Sequence, residues 1–509
     1  MQLYPMKRIL VATVSVGLIA MGLTVAPAQA APPDATPVPR LLGFTPILKY
    51  VSCPAKEALP ARTRCATLTV PLDWQKPKDG RTIKIALRIT RSAQRDGALT
   101  FNPGGPGEPA IGIGPAVYSL LPAAVRDRFD FVVWDPRGVG LSGPALTDCP
   151  AAEGLAAPLV GPVDWRDFWD SQFAAFAKAN SECLAANPNA APYLGTWQVI
   201  RDLEAMRIAL GYKQWNYWGM SYGTRIGHAY ARTFPSSLRT LIMDGSLMAG
   251  ETAFRFGTTF PSGVSVTKQV YASINGKAQA HKMNAIFDYL DRKVITIKGT
   301  QIDRWGLAQE LRGLLGQQAQ YPTIRKVVDA LYRLVKAKTG AQKARAAHAV
   351  RNARALLPKT NDSTTTIRLI NCADLPDRPT ADQLAAASGA VARDFGTVFV
   401  MWMANASMCA GLPDDLSPPS PHGTDPIDLA TPPIFVLSTG DAATPWAWGR
   451  SMANTFTGSR TISYTSTQHV TYLFAPSPCV NDTVTRYLLT LRRPSGDIAC
   501  AFTPSPPLD

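Results

Sequence analysis

The chain has 509 residues, a formal net charge of +15, and 8 cysteines. That length can bury a large core and is enough for two domains or one elaborated domain. Composition excludes a collagen-like or disordered chain, and the positive charge lacks the interleaved aromatics of a nucleic-acid-binding module.

Lys7 and Arg8 precede an apolar stretch from Ile9 to Val25, and Ala28-Gln29-Ala30 follows as a small-x-small site. These are the parts of a secretory signal peptide, residues 1–30. A membrane anchor is the alternative, but the apolar run is marginal for a span and Ala31-Pro32-Pro33-Asp34 follows at once. No later stretch reads as a membrane span. The mature chain is therefore expected outside the cell, released or held at the wall. The cysteines of an exported chain pair as disulfides. In chain order they form local couples, Cys53 with Cys65, Cys149 with Cys183, Cys372 with Cys409 and Cys479 with Cys500. Order alone leaves the pairing open. No couple has C-x-x-C spacing, so a structural metal is not expected.

Residues 31 to about 50 are Pro-rich and read as extended. Strands follow at Ala66 to Val70 and Ile83 to Ile89, the second with clear alternation. Short apolar runs come next, at Ala98 to Phe101, Phe131 to Trp134, Trp215 to Trp218 and Thr240 to Met243. Helical periodicity separates the later ones, notably from Val199 to Leu210. Such alternation predicts a mostly parallel sheet covered on both faces. From about residue 250 the pattern turns helical, with stripes such as Leu307, Leu311, Leu314 and Leu315. A Pro-rich linker runs from Leu412 to Pro433, and strands resume at Ile434 to Ser438 and Thr461 to Tyr464. The predicted architecture is an α/β core of eight strands, residues 31–249 and 426–509, interrupted by a mainly helical cap and linker, 250–425.

Between Arg325 and Lys359 ten basic residues face one acid, Asp329. A solvated helical face accounts for this, and an anionic cell-wall surface is the sharper reading.

Gly219-Met220-Ser221-Tyr222-Gly223 joins the run ending at Trp218 to a helix-like stretch beginning at Thr224. Gly-x-Ser-x-Gly between strand and helix is a nucleophile elbow, which makes Ser221 the candidate nucleophile. A serine hydroxyl needs a base, a group that orients the base, and donors for the oxyanion. The chain has 5 histidines. His228 rides away from Ser221 on the elbow helix, His281 and His348 fall among basic helical residues, and His422 lies in the linker. His469 follows the last predicted strand, where the base of such a sheet belongs. The acid should lie between Ser221 and His469 in chain order. Asp441 is preferred, in Gly440-Asp441-Ala442-Ala443-Thr444; Asp244 is the competitor. Thr444 could brace the aspartate loop.

Asn102-Pro103-Gly104-Gly105-Pro106-Gly107 follows a strand and can aim backbone N–H groups into the site. Gly105 is the expected oxyanion donor, with the Tyr222 N–H beside the nucleophile as the second. A phosphate loop is excluded by the missing Lys-Ser/Thr ending. Gly104 and Glu108 are expected near the cleft, Glu108 either in contact with substrate or simply exposed. Arg137 is expected to tie core loops together.

These motifs, together with Leu72-Asp73-Trp74, Asp135-Pro136-Arg137-Gly138, Asp202 with Arg207, Asp244-Gly245 and Ser477-Pro478-Cys479-Val480, resemble the secreted actinobacterial tripeptidyl-aminopeptidase family. That family is related to proline iminopeptidase within the α/β-hydrolase superfamily. The resemblance implies an α/β-hydrolase fold with a helical cap and the triad Ser221, Asp441, His469. It also supports the four local cysteine couples. Departures occur at Gly107-Glu108-Pro109-Ala110, at Gln468 and Val470 around the histidine, and at Leu412. The cap cannot be matched residue by residue, and it is where such enzymes bind the substrate's amino terminus through acids.

The expected function is cofactor-free release of N-terminal di- or tripeptides by an exported serine hydrolase. A carboxylesterase or lipase with the same triad is the alternative. A catalytically silent wall-binding protein is a third reading, against which the complete Ser-Asp-His set argues.

Overall fold

The computed structural model describes residues 41–54, 57–150, 152, 163–355, 364–375, 377–421 and 423–504. The signal-peptide reading, His422 and Lys359 lie outside these residues.

A ten-stranded sheet forms the centre. In chain order its first strands are β1 (Ile47–Val51), β2 (Thr63–Pro71), β3 (Thr82–Thr90), β4 (Ala98–Asn102), β5 (Asp130–Trp134), β6 (Trp215–Met220) and β7 (Leu238–Asp244). A separate hairpin, β8 (Ile295–Ile297) and β9 (Thr300–Ile302), sits in the helical segment; β10 (Ile434–Ser438), β11 (Arg460–Tyr464) and β12 (Ile498–Cys500) complete the sheet. The spatial order is β1-β2-β3-β5-β4-β6-β7-β10-β11-β12. Strands β5 through β12 in that order are parallel; β1, β2 and β3 form an antiparallel edge.

The eight expected strands are present, and two more extend the edges. β1 falls in the stretch read as merely extended, and four of its five residues are exposed, so it carries little alternation to read. β12 has three residues. Strands β4, β5, β6 and β10 are buried throughout. That is why they appear in the sequence as short continuous apolar runs rather than alternating ones.

The chain steps from β4 to β5 on one side, then to β6 on the other. The carboxyl ends of β4 and β6 thus flank the point where strand order reverses, the place where open α/β sheets bind ligands. Between β7 and β10 the chain is mainly helical, from Ala253–Asn275 through Arg304–Leu315, Tyr321–Lys336 and Thr364–Asp374 to Met401–Ala406. The β8–β9 hairpin is an addition to the mainly helical pattern expected there. Its turn carries Lys298 and Gly299 with φ of 48° and 82°, so a Lys-Gly pair between β-branched runs was the available signal.

Arg137 is fully buried and ties loops together. Its guanidinium donates to both carboxylate oxygens of Asp202 at 2.7 Å, and to the carbonyls of Pro71, Leu72 and Tyr193. Disulfides join Cys53 to Cys65, Cys149 to Cys183, Cys372 to Cys409 and Cys479 to Cys500. Part of the basic run is engaged within the protein: Arg325 donates to Asn275 and Arg354 pairs with Glu310. No helix among the described residues is long and apolar enough to cross a membrane.

Candidate active site

Ser221 stands between the end of β6 and the helix Gly223–Thr233, with φ at 53°. A residue with a side chain in this region stores strain, which persists only where the surroundings hold it. The Ser221 N–H donates to the Asp244 carbonyl at 2.9 Å, and the Ser221 carbonyl accepts from the Thr224 N–H and hydroxyl. A Cβ at Gly219 would come within 2.5 Å of the Gly223 carbonyl oxygen, and one at Gly223 within 2.5 Å of the Asn102 carbonyl oxygen. Glycine on both sides of the turn is therefore a packing requirement, as well as a conformational one.

Asp441 lies on the turn after β10 and is 2 % exposed. One carboxylate oxygen accepts the N–H groups of Ala443 at 2.7 Å and Thr444 at 3.0 Å. The other accepts the Thr444 hydroxyl at 2.9 Å and His469 Nδ1 at 2.8 Å. Four donors thus converge on one carboxylate, fixing its orientation and placing the proton of neutral His469 on Nδ1. His469 follows β11, is partly exposed, and its backbone N–H donates to the Gly316 carbonyl at 2.7 Å. Burial pulls its pKa down, but the charge and hydrogen bond of Asp441, with the charge of Asp244, outweigh this and raise it above 6.5.

Asp244 does not hold the histidine ring. Its two carboxylate oxygens accept the backbone N–H groups of Thr471 at 2.8 Å and Tyr472 at 2.9 Å. It is a loop anchor for the segment that carries His469. Burial drives its pKa up to about 7, against those two hydrogen bonds. His228 is buried on the elbow helix, against Thr455 and Phe456. His348 is exposed, with Arg351 and Asn352 around it, and His281 lies at the surface near Tyr332.

The loop after β4 runs through Gly104, Gly105 and Gly107 with φ of 103°, 98° and 97°. Gly104 presses on the elbow: a Cβ there would lie 2.7 Å from Ser221 Cβ and 3.1 Å from Tyr222 N. Among the described residues, neither the Gly105 nor the Tyr222 N–H donates to a carbonyl. The Tyr222 side chain points the other way, its hydroxyl 2.6 Å from Thr196 Oγ1, which donates to Asp374. Glu108 is exposed, and its Cγ lies 3.2 Å from where a Cβ on the cavity-lining Gly105 would stand.

A cavity of about 600 Å³ opens over the elbow, lined by Ser221, Tyr222, Gly105 and Thr444 from the core and by Arg312, Trp402 and others from the helical segment. Sequence reasoning missed its charged lining, Arg225, Arg312 and Arg368. Arg225 is buried and neutralised by Glu251 at 2.8 Å and Asp374 at 3.0 Å. Arginine on a helix reads as solvated surface unless the packing partner is known, so no sequence signal marked these three. Among the described residues no cluster of His, Cys, Asp or Glu fits a metal ion.

A strained serine elbow over a parallel sheet, a carboxylate-bound histidine and a helical roof define an α/β hydrolase of the serine type. A family model described as TAP-like protein matches residues 396–500. Serine protease Hip1 of Mycobacterium tuberculosis is 30% identical over 468 residues, covering 87% of this chain and 88% of that protein. Tripeptidyl aminopeptidase of Streptomyces lividans is 28% identical over 488 residues, covering 90% and 88%. Carboxylesterase B of M. tuberculosis is 26% identical over 466 residues, covering 86% of each. The chain belongs to the tripeptidyl-aminopeptidase family and is a serine hydrolase of peptidase type.

Proposed function

We propose that this protein is an exported serine peptidase releasing short N-terminal units, with Ser221 as nucleophile, His469 as base and Asp441 as its orienting acid. The observation that carries the reading is the 2.8 Å hydrogen bond from His469 Nδ1 to Asp441, with Ser221 on its elbow lining the adjoining cavity. Ser221 Oγ attacks the scissile carbonyl and gives its proton to His469 Nε2. The imidazolium is stabilised by Asp441. The N–H groups of Gly105 and Tyr222 receive the oxyanion. His469 then protonates the leaving amine, and water, activated by the same imidazole, releases the acyl group from Ser221. The insertion between residues 250 and 425 roofs the cleft and favours short substrates. Residues 1–30 act as the signal peptide, and the four disulfides support a site outside the cytosol.

Turnover of tripeptidyl anilides by wild type and Ser221→Ala tests the core of this reading. Activity close to wild type in the variant overturns it. The relative named carboxylesterase B favours a second reading, ester hydrolysis by the same triad. N-acetylation of the tripeptide separates the two. An amine-dependent enzyme loses turnover on the blocked substrate, whereas an esterase hydrolyses a simple acyl ester and is indifferent to the block.

A further inference from the structure

The cleft over Ser221 has an unusual charge inventory for an enzyme expected to greet a free amino terminus. Among the described residues no Asp or Glu lines it, whereas three arginines do. Arg225 is spent on Glu251 and Asp374, both of them buried. Among the described residues the other two have no carboxylate at contact. Arg312, on the helix Arg304–Leu315, lies with its guanidinium 5.2 Å from the Phe260 ring centre, and its buried Nε has no hydrogen-bond partner. Arg368, on the helix Thr364–Asp374, is 4 % exposed; among the described residues its buried Nε is likewise unpartnered, and one terminal nitrogen donates to the Pro150 carbonyl at 3.2 Å.

The nearby acids are otherwise engaged. Asp441 has all four of its hydrogen bonds from Ala443, Thr444 and His469, so it acts on Arg312 only through space. Glu310, the neighbour of Gln309 in the cleft wall, pairs through one carboxylate oxygen with Arg354 at 3.1 Å. Burial pulls both arginines below their usual pKa, and the charge of Asp441 opposes this at Arg312. A guanidinium stays charged in a protein, and holding two of them in a cleft without a counter-ion is costly unless a ligand supplies one.

We infer that the cleft selects acidic peptides, with Arg312 and Arg368 receiving an Asp or Glu side-chain carboxylate of the bound segment. This rests on the peptidase reading above and adds to it a substrate class. Guanidinium forks match carboxylates in a bidentate way. A lysine side chain in the same place would meet two cations and, among the described residues, no acid of the lining.

The test uses tripeptidyl anilides built on Ala-Ala-Ala, with Glu, Gln or Lys placed at each position in turn. Glu and Gln share shape and differ in charge. At one position at least, kcat/KM for Glu is expected to exceed that for Gln by about tenfold or more, the scale of a charge-assisted hydrogen bond, and Lys is expected to be poorest there. Arg312→Gln and Arg368→Gln are expected to bring the Glu/Gln ratio toward one, and Arg312→Lys to keep Glu ahead. The ratio is read within each variant, so a general loss of activity does not disguise it. Equal turnover of Glu and Gln peptides by wild type, or a preference for Lys, overturns the inference and leaves the peptidase reading standing. Absence of Ser221-dependent turnover on every peptide overturns the peptidase reading and the inference with it. As a binding readout, Ser221→Ala titrated calorimetrically with Glu and Gln tripeptides should bind the Glu form more tightly, by a margin that shrinks with added salt; equal affinities again overturn the inference.

Discussion

Gly104 shows how tightly single positions are specified. Its φ of 103° disfavours any side chain, and an added Cβ would also meet Ser221 Cβ at 2.7 Å and the Met220 carbonyl oxygen at 2.8 Å. Those neighbours are the elbow itself and cannot withdraw cheaply. Gly104→Ala is therefore expected to push the glycine loop off the elbow and lower kcat by about 10²-fold, the scale of losing one oxyanion donor. A variant with kcat within threefold of wild type would show that the loop does not serve the oxyanion. Asp441→Asn is a second case. The replacing amide presents hydrogens where four donors converge, so His469 loses its orienting acceptor. An expected fall in kcat of about 10³-fold or more follows. Removing the negative charge also lowers the His469 pKa, so the acid limb of kcat/KM should move to lower pH. In wild type that limb is expected above 6.5, because the proposed mechanism needs the neutral imidazole to accept the serine proton. An unmoved limb would mean that another group sets it. Gly104 and Asp441 were legible in the sequence because each follows a strand beside glycine, where chemistry and backbone leave a joint signature, and His469 by its place after β11. The split between Asp441 and Asp244 was not fully legible, since both end strands. Only the side-chain contacts separate an acid that grips the ring from one that grips the loop behind it.

Elements differ in how openly the sequence declares them. The buried strands β4, β5, β6, β7 and β10 stood out as apolar runs, and the elbow helix by its junction with Ser221. The edge strand β1 did not, because its register is set by pairing with β2 and not by its own burial. The cap posed a harder problem: helical stripes gave its existence, while the faces turned to the cleft depend on long-range docking. One link in that docking can be tested. Cys372, on the helix that carries Arg368, is bonded to Cys409, 37 residues on. The same helix places Asp374 against Thr196, 2.6 Å from its hydroxyl, and thereby behind Tyr222. Closing a loop of that length contributes about 2–4 kcal/mol. The double variant Cys372→Ala/Cys409→Ala is expected to lose stability on that scale in denaturant titrations, and to raise KM more than it lowers kcat. A stability loss with unchanged KM would mean that the helix keeps its place over the cleft without the bond.

Over the whole molecule, the pH dependence of stability has an unusual contributor at the centre of the sheet. Most structural carboxylates favour folding at higher pH; Asp244 works in the opposite sense. Its pKa is about 7 in the folded protein against 3.8 for an ordinary aspartate. Between those values the folded chain keeps a proton that the unfolded chain has released, so this contribution is complete below 3.8 and is lost as pH rises toward 7. Three pH units at about 1.4 kcal/mol each make it on the order of 4 kcal/mol. His469 acts in the same direction: its folded pKa is raised, so its share is present below 6.5 and is lost as pH climbs through the folded value. Asp244→Asn removes the titration while keeping one oxygen acceptor for the loop amides of Thr471 and Tyr472. The unfolding temperature of wild type relative to that of the variant should therefore be highest below about pH 4 and fall steadily as pH rises toward 7. A gap that stays constant or widens with pH would mean that Asp244 is ionised throughout. Its negative charge would then stand permanently behind His469, and the acid limb of the activity profile would take its position from both aspartates together.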